Sequence, residues 1–367
     1  MRLTVRILAG VLVAASCGGC SRPEAKADES WDPTAAAAYL DRRADWWMQW
    51  QGAARDHETF CISCHTTLPY ALARADLRPQ RASDTERRIL DNVVRRVRLW
   101  NETGPYYKDR DADPHKSVES RGTESVLNAL VLSQRDARNG HLSEDARTAL
   151  ALMWTQQQTR GDRAGAWPWL QFGLRPWEAD DSYYYGAALA ARALAVAPDD
   201  YRSTPAIERN VVRLRAYLDR EYAAQALANR AVLLWAATRW PELIDAAPRR
   251  ALVDDLLRDQ RRDGGWSLAS LAKQPGASHL RTLFAPSDGY ATGLVTLVLL
   301  ETGMARHDPI IERAVQWLIR NQQAEGFWRT DSLNARRDPN SDVGRFMSDA
   351  ATAYAVLALT RASETIR

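Results

Sequence analysis

Three stretches of this chain repeat one local pattern: a glutamine, a short gap, then Gly-x-Trp. They run from Gln260 to Gly264-Gly265-Trp266, from Gln322 to Gly326-Phe327-Trp328, and in a looser form from Gln158 to Gly165-Ala166-Trp167. Each leads through a polar loop to an Asp and then a run of small residues with helical character, starting at Asp181, Asp288 and Asp349. Gly122-Thr123-Glu124-Ser125 opens a stretch of the same shape without the preceding motif, and Asn229-Arg230-Ala231 opens a degenerate copy. A unit recurring at such intervals predicts a stack of supersecondary repeats, because one unit cannot bury its apolar face alone.

Each small-residue helix follows a longer amphipathic one, expected over 85–100, 143–157, 205–221, 247–261 and 308–321. In the last, Ile310, Ile311, Ala314, Val315, Leu318 and Ile319 fall at helical spacing with Glu312, Arg313 and Arg320 between them, so one face is apolar and the other wet. The inner helices nearly lack charge. A further copy is expected at the start, where an amphipathic helix over 33–51 precedes Cys61-Ile62-Ser63-Cys64-His65-Thr66. Taking Thr66, Thr123, Ser182, Asn229, Thr292 and Thr352 as equivalent points, the steps are 57, 59, 47, 63 and 60 residues. Six such pairs can close into a ring that buries both ends of the array and needs no caps. No segment alternates as a strand does. The expected fold is all-α, an α/α toroid of about six helix hairpins over 35–362.

The Gln…Gly-x-Trp elements resemble the repeats of the squalene cyclase and protein prenyltransferase group, and the resemblance spans about residues 85–361. It implies that Gln and Trp sit in turns joining outer to inner helices and tie neighbouring repeats. Hopene cyclases of that group protonate an alkene with the central Asp of a DxDD motif at an inner-helix start. Here Glu178-Ala179-Asp180-Asp181 occupies such a start. The resemblance implies Asp180 as the acid, with Glu178 and Asp181 beside it. A neutral carboxylic acid in an apolar cavity is what that step requires. The first position departs from the motif, and Asp288 and Asp349 stand at similar starts, where an Asp also serves as a helix cap. The zinc set of prenyltransferases has no counterpart, since the repeats after residue 65 contain no cysteine. Tyr183, Tyr184, Tyr185, Tyr290, Trp167, Trp169 and Trp177 lie near inner-helix starts. They suit either a packed core or a cavity for a small hydrophobic or glycan ligand.

Cys61-Ile62-Ser63-Cys64-His65 is the attachment pattern of covalent haem c. The two thiols can meet the two vinyl groups, and His65 then lies under the iron as proximal ligand. A redox pair, half a zinc site and a disulfide are the other readings of the same residues. Met347 and His115, in loops entering neighbouring inner helices, are the candidate distal ligands; Met48, His57 and His279 are further ones. Arg121 and Arg345 flank the same rim and could pair with propionates.

The first residues set the compartment. Arg2 and Arg6 precede a short apolar run, Ile7 to Ala15, then small residues and cysteine, the order of a secretory signal. Ala14-Ala15-Ser16-Cys17 resembles a bacterial lipobox, although it lacks the usual Leu; Cys20 is the alternative acylation site. The expected organisation is a signal over 1–20, a tether over 21–34 and the toroid beyond, exported and lipid-anchored in the periplasm or outer envelope. A net charge of +3 gives no case for nucleic acid as a partner. Two functional classes follow: a monohaem protein that passes electrons to a redox partner protein or binds at haem, and a toroid enzyme or binding scaffold for a lipid-like or glycan ligand.

Overall fold

Residues 30–77, 82–109, 115–276 and 285–364 are described by a computed structural model. The acylation candidates Cys17 and Cys20, and His279, lie outside them. The helices in chain order are α1 (Pro33–Gln49), α2 (Thr67–Ala73), α3 (Asp84–Arg98), α4 (Lys116–Ala137), α5 (Glu144–Thr155), α6 (Ser182–Val196), α7 (Glu208–Glu221), α8 (Leu227–Ala237), α9 (Ala246–Arg258), the one-turn α10 (Leu268–Leu271), α11 (Gly289–Glu301), α12 (Pro309–Asn321) and α13 (Phe346–Ser363). The expected amphipathic helices are thus present, with ends shifted by a few residues. α1 begins at Pro33, inside the stretch read as a tether, because Asp32 caps it by accepting from the Thr34 and Ala35 amides.

Along the chain the helices alternate as outer and inner elements, α1/α2, α3/α4, α5/α6, α7/α8, α9/α11 and α12/α13, and the inner helices α4, α6, α8 and α11 pack on the outer helices that follow them, α5, α7, α9 and α12. Each inner helix packs on the next, α2 on α4, α4 on α6, α6 on α8, α8 on α11, α11 on α13, and α13 returns to α2. The described unit is therefore an α/α toroid, closed where the sixth repeat meets the first. The Ala-, Gly-, Thr- and Leu-rich stretches of the inner helices are buried; all of α11 from Gly289 to Leu300 is. Outer helices bury one stripe, such as Ile311, Ala314, Trp317 and Leu318 of α12. Among the described residues strand structure is confined to a small hairpin, Ala54–Arg55 with Thr59–Phe60, which leads into Cys61.

The repeated motif works as a two-way tie. Its tryptophan, fully buried, donates from Nε1 to the last turns of its own outer helix. Trp167 donates to the Met153 carbonyl at 2.6 Å, Trp266 to Leu256 at 2.7 Å and Trp328 to Leu318 at 2.7 Å. Its glutamine ties the turn to the following outer helix. Gln260 Nε2 donates to the carbonyls of Gly264 and Ile310, each at 2.9 Å. In the looser copy Gln157, not Gln158, does this, donating to Gly165 and Asn210 at 3.2 and 3.0 Å. The run Gln156-Gln157-Gln158 left the register ambiguous in the sequence, and the middle one reaches the next repeat.

The glycine has two reasons to be glycine. Gly165, Gly264 and Gly326 have φ of +103°, +96° and +91°, a region costly for side chains with a Cβ. In addition the next outer helix lies against the missing side chain: a Cβ on Gly264 would stand 2.6 Å from the Arg313 carbonyl oxygen. At the ring seam the same device joins last to first. Gln322 Nε2 donates to the Asp32 carbonyl at 2.9 Å, the Asp32 amide returns a bond to Gln322 Oε1 at 2.7 Å, and Gly326 abuts Ala35 of α1. The ring is thus closed by a joint of the same kind as its internal ones.

Candidate functional site

The seam also carries the Cys-x-x-Cys-His segment. Its path is fixed from both sides. The Cys61 amide donates to the Ala53 carbonyl at 3.0 Å, and Trp47 Nε1 of α1 donates to the Cys61 carbonyl at 2.8 Å. Asn92 of α3 reads both backbone groups of Phe60, at 2.9 and 3.0 Å. Behind the hairpin, Arg96 and Glu124 form a wholly buried fork, 2.6 and 3.1 Å, and Arg96 also donates to Thr59 Oγ1 and the Gly104 carbonyl. Ser63 then caps α2 through bonds from the Thr66 and Thr67 amides, each 3.1 Å.

Cys61 and Cys64 are free thiols, each 3% exposed. Burial pushes the Cys61 thiol up to about 12 and Cys64 well above its ordinary value, with the Glu178 carboxylate adding to both. They are neutral thiols, not a reactive thiolate pair. His65 is partly buried. Phe346 stacks on its ring at 3.8 Å between centroids, Trp47 meets it edge-on at 5.0 Å and Trp177 lies at 5.9 Å. Burial, then the Arg337 and Arg43 guanidinium groups, push its pKa down to about 3. The imidazole is therefore neutral, as a metal ligand must be. Nδ1 is 2.9 Å from Thr66 Oγ1, and among the described residues Nε2 has no hydrogen-bond partner.

Asp349, in the first turn of α13, anchors this group across the seam. It accepts from Thr66 Oγ1 at 2.7 Å, from Tyr39 at 2.8 Å, and from Arg43 at 2.8 and 3.1 Å. Burial raises its pKa, and Arg43 opposes the rise. Among the Asp residues at inner-helix starts, only Asp288 acts as the cap the sequence suggested, accepting from the Ala291 amide at 3.0 Å. Asp349 is instead one half of a buried ion pair.

The expected acid triplet comes apart. Asp180 is exposed to solvent rather than enclosed in an apolar cavity of the kind its role as proton donor calls for. Asp181 accepts from Gln274 Nε2 at 2.5 Å and lies 3.9 Å from Arg175, away from His65. Glu178 is the member that approaches the cysteines. Burial lifts it to about 7, opposed by Arg337 and Lys116.

The suggested outer ligands fare unequally. Phe346, not its neighbour Met347, lies against the imidazole; Met347 is buried in the core and belongs to the first turn of α13, not to a loop. His115 is exposed ahead of α4, and His57 is exposed beside Asp56. Met48 is half-buried against the core. Arg121 stacks on Trp100 at 4.4 Å and bonds the Trp100 and Thr103 carbonyls, and Arg345 lies 5.4 Å over Phe327. Neither flanks His65. Arg337, 5.5 Å over the Phe346 ring, and Arg43 are the cations that act on it. Of the aromatics, Trp167 and Trp169 are core. Trp177 reaches inward, donating to Tyr290 Oη at 3.3 Å, and Tyr290 meets Tyr354 at 5.1 Å. Tyr184 donates to the Leu218 carbonyl at 3.1 Å, and Tyr183 carries the Arg163 guanidinium at 3.6 Å.

Comparison with known proteins supports the architecture. No family model matches the chain. A probable squalene–hopene cyclase of Sinorhizobium fredii is 33% identical over 75 residues, which is 20% of this chain and 12% of that protein. The matched stretch is thus a small part of the relative. An α-1,6-mannanase of Salegentibacter, solved with mannotetrose, aligns with 90% of this chain and 100% of its own at 10% identity and a TM-score of 0.51. A type II terpene cyclase from Scytonema aligns with 89% and 98% at 14% identity and a TM-score of 0.43. At these identities the likeness is one of fold: the chain is an α/α toroid.

Proposed function

We propose that the chain is an exported, lipid-anchored c-type monohaem protein that uses the toroid as its scaffold and serves electron transfer or haem-linked redox or ligand chemistry. The observation that carries this reading is the donor set. Two unbridged neutral thiols precede a neutral imidazole whose Nδ1 is engaged and whose Nε2 is free. These are the states needed for two thioether bonds and one axial nitrogen ligand, so the residues fit the group. Cys61 and Cys64 would hold haem covalently and His65 would ligate its iron. The haem would supply a one-electron redox centre. The chain's part is to fix the imidazole, to wall it with Trp47, Phe346 and Trp177, and to set its electrostatics through Arg337. The apparent signal over 1–20 and the acylation candidates Cys17 and Cys20 agree with assembly outside the cytoplasm.

The test is expression with the haem maturation system, followed by denaturation and acid–acetone extraction. A Soret band that remains with the polypeptide, and is lost in Cys61→Ala/Cys64→Ala, is expected. Colourless polypeptide under conditions that load a control cytochrome would refute the proposal.

One observation favours a second reading. Glu178, poised near neutrality beside Trp177, has the character of a general acid. The same pocket would then serve a toroid enzyme acting on a glycan or lipid-like substrate. Loss of turnover in Glu178→Gln with haem retained would separate that role from the first.

A further inference from the structure

The imidazole of His65 is tied to the sixth repeat by a chain of three side chains. His65 Nδ1 lies 2.9 Å from Thr66 Oγ1, and Thr66 Oγ1 lies 2.7 Å from Asp349 Oδ2. A hydroxyl has one proton to give, so the direction of the chain depends on Asp349. Four donors converge on that carboxyl: Arg43 Nε and Nη2, Tyr39 Oη and Thr66 Oγ1. Arg43 is 5% exposed, and its other carboxylate, Asp342, stands largely in water. A buried guanidinium needs a buried counter-charge, and a bidentate fork is how a carboxylate supplies it. Asp349 is then acceptor-only. Thr66 spends its proton on Asp349 and has only lone pairs left for His65. His65 must therefore donate from Nδ1, which strips Nε2 of its proton.

The geometry points to Thr66 and Asp349 as positioning residues that lock His65 in the Nδ1–H tautomer and so present the Nε2 lone pair as the ligating atom. The purpose of the lock rests on the haem reading above; its existence does not. It also has a structural consequence. Thr66 belongs to the first repeat and Asp349 to the sixth, so the ligating tautomer is enforced only when the ring is closed. Nothing in the Cys-x-x-Cys-His segment itself imposes that.

The test uses the full chain without haem, labelled with nitrogen-15 histidine, and long-range proton–nitrogen correlation of the imidazole rings. His65 is identified among the six histidines by its absence in His65→Gln. The wild type is expected to show a protonated Nδ1 and a bare Nε2. Thr66→Val, which removes the hydroxyl but keeps the Arg43–Asp349 pair, is expected to shift the tautomer ratio at least about fivefold toward Nε2–H, the effect of one ordinary hydrogen bond. Thr66→Ser is expected to restore the wild-type spectrum, which a merely structural role would not predict. A wild-type His65 protonated at Nε2 overturns the proposal whether or not any variant folds, as does a Thr66→Val spectrum unchanged from wild type. A bare Nε2 in a chain that never retains pigment would uphold the lock and reject the haem. Pigment on a chain with Nε2–H would do the reverse.

Discussion

Gly326 and Gly303 allow the ring closure to be measured by a matched pair of substitutions. Both have left-handed backbone, with φ of +91° and +94°. They differ in what a new methyl group would meet. At Gly303 nothing lies within 4 Å, whereas at Gly326 the Cβ would overlap the Ala35–Ala36 backbone of α1. Gly303→Ala should thus show the conformational penalty alone, about 1–2 kcal/mol. Gly326→Ala should add the cost of displacing α1 from the seam, about 1–3 kcal/mol for overpacking, and weaken the Gln322–Asp32 bonds formed across the same joint. Urea unfolding followed by far-ultraviolet circular dichroism reads the difference. With a slope of about 3 kcal/mol per molar, an extra 2 kcal/mol lowers the midpoint of Gly326→Ala by roughly 0.7 M relative to Gly303→Ala. Equal midpoints would mean that α1 does not close the ring.

Three further outcomes are expected. Glu124→Ala, which strands the buried Arg96 charge, should cost about 3–5 kcal/mol, and Arg96→Met combined with Glu124→Leu should recover much of it; a single variant of wild-type stability would refute the buried pair. Glu178 has a folded pKa raised from 4.5 to about 7, so the fold binds its proton more tightly than the unfolded chain does. Its contribution is favourable below about pH 4.5 and is lost as pH rises through 7. Glu178→Gln should therefore leave stability unchanged at pH 4 and raise it at pH 8, by on the order of 2 kcal/mol; a variant no more stable than wild type at pH 8 would refute the burial. Asp180→Asn, at an exposed position, should shift the urea midpoint by no more than about 0.5 kcal/mol equivalent, and a larger loss would return Asp180 to the site.

What was legible in the sequence was what is local. Gln, Gly and Trp act within one turn and against the adjoining helix, so their spacing alone implied paired helices and a closed ring. The slip of Gln158 for Gln157 arose where three glutamines, Gln156 to Gln158, stand in a row and only helix phase decides between them. The acid motif misled for a related reason. Glu178, Asp180 and Asp181 differ in exposure, and exposure depends on how the turn folds under neighbouring repeats. Thr66 and Asp349 could not be found this way. They are separated by 283 residues, and Asp349 looks in sequence like the capping Asp288. The available signal was an incongruity: α13 places a carboxylate in a stretch that carries no other charge until Arg361 in its last turn, which calls for a buried partner, and Arg43 on an apolar face of α1 has the same defect.

These two misfits explain why the cysteine–histidine segment stands at the seam. The motif-bearing joints inside the ring, at Trp167 and Trp266, are held by a Gln, a Gly and a Trp acting through backbone groups. The seam has the same joint plus a charged one, Arg43 with Asp349, and the extra element is the one that reaches His65 through Thr66. Other inner-helix starts are also tied to the next repeat, as α11 is through the Gly289 amide to the Arg329 carbonyl and the Tyr290 amide to Thr330 Oγ1. At the seam the start of α2 is organised by α1, α3 and α13 together, through Trp47, Asn92 and Asp349. A ligating histidine must be held against rotation and against the wrong tautomer at once. The seam is where this fold provides both, and a chain opened there, as by Gly326→Ala, should lose the fixed His65 tautomer before it loses its helices.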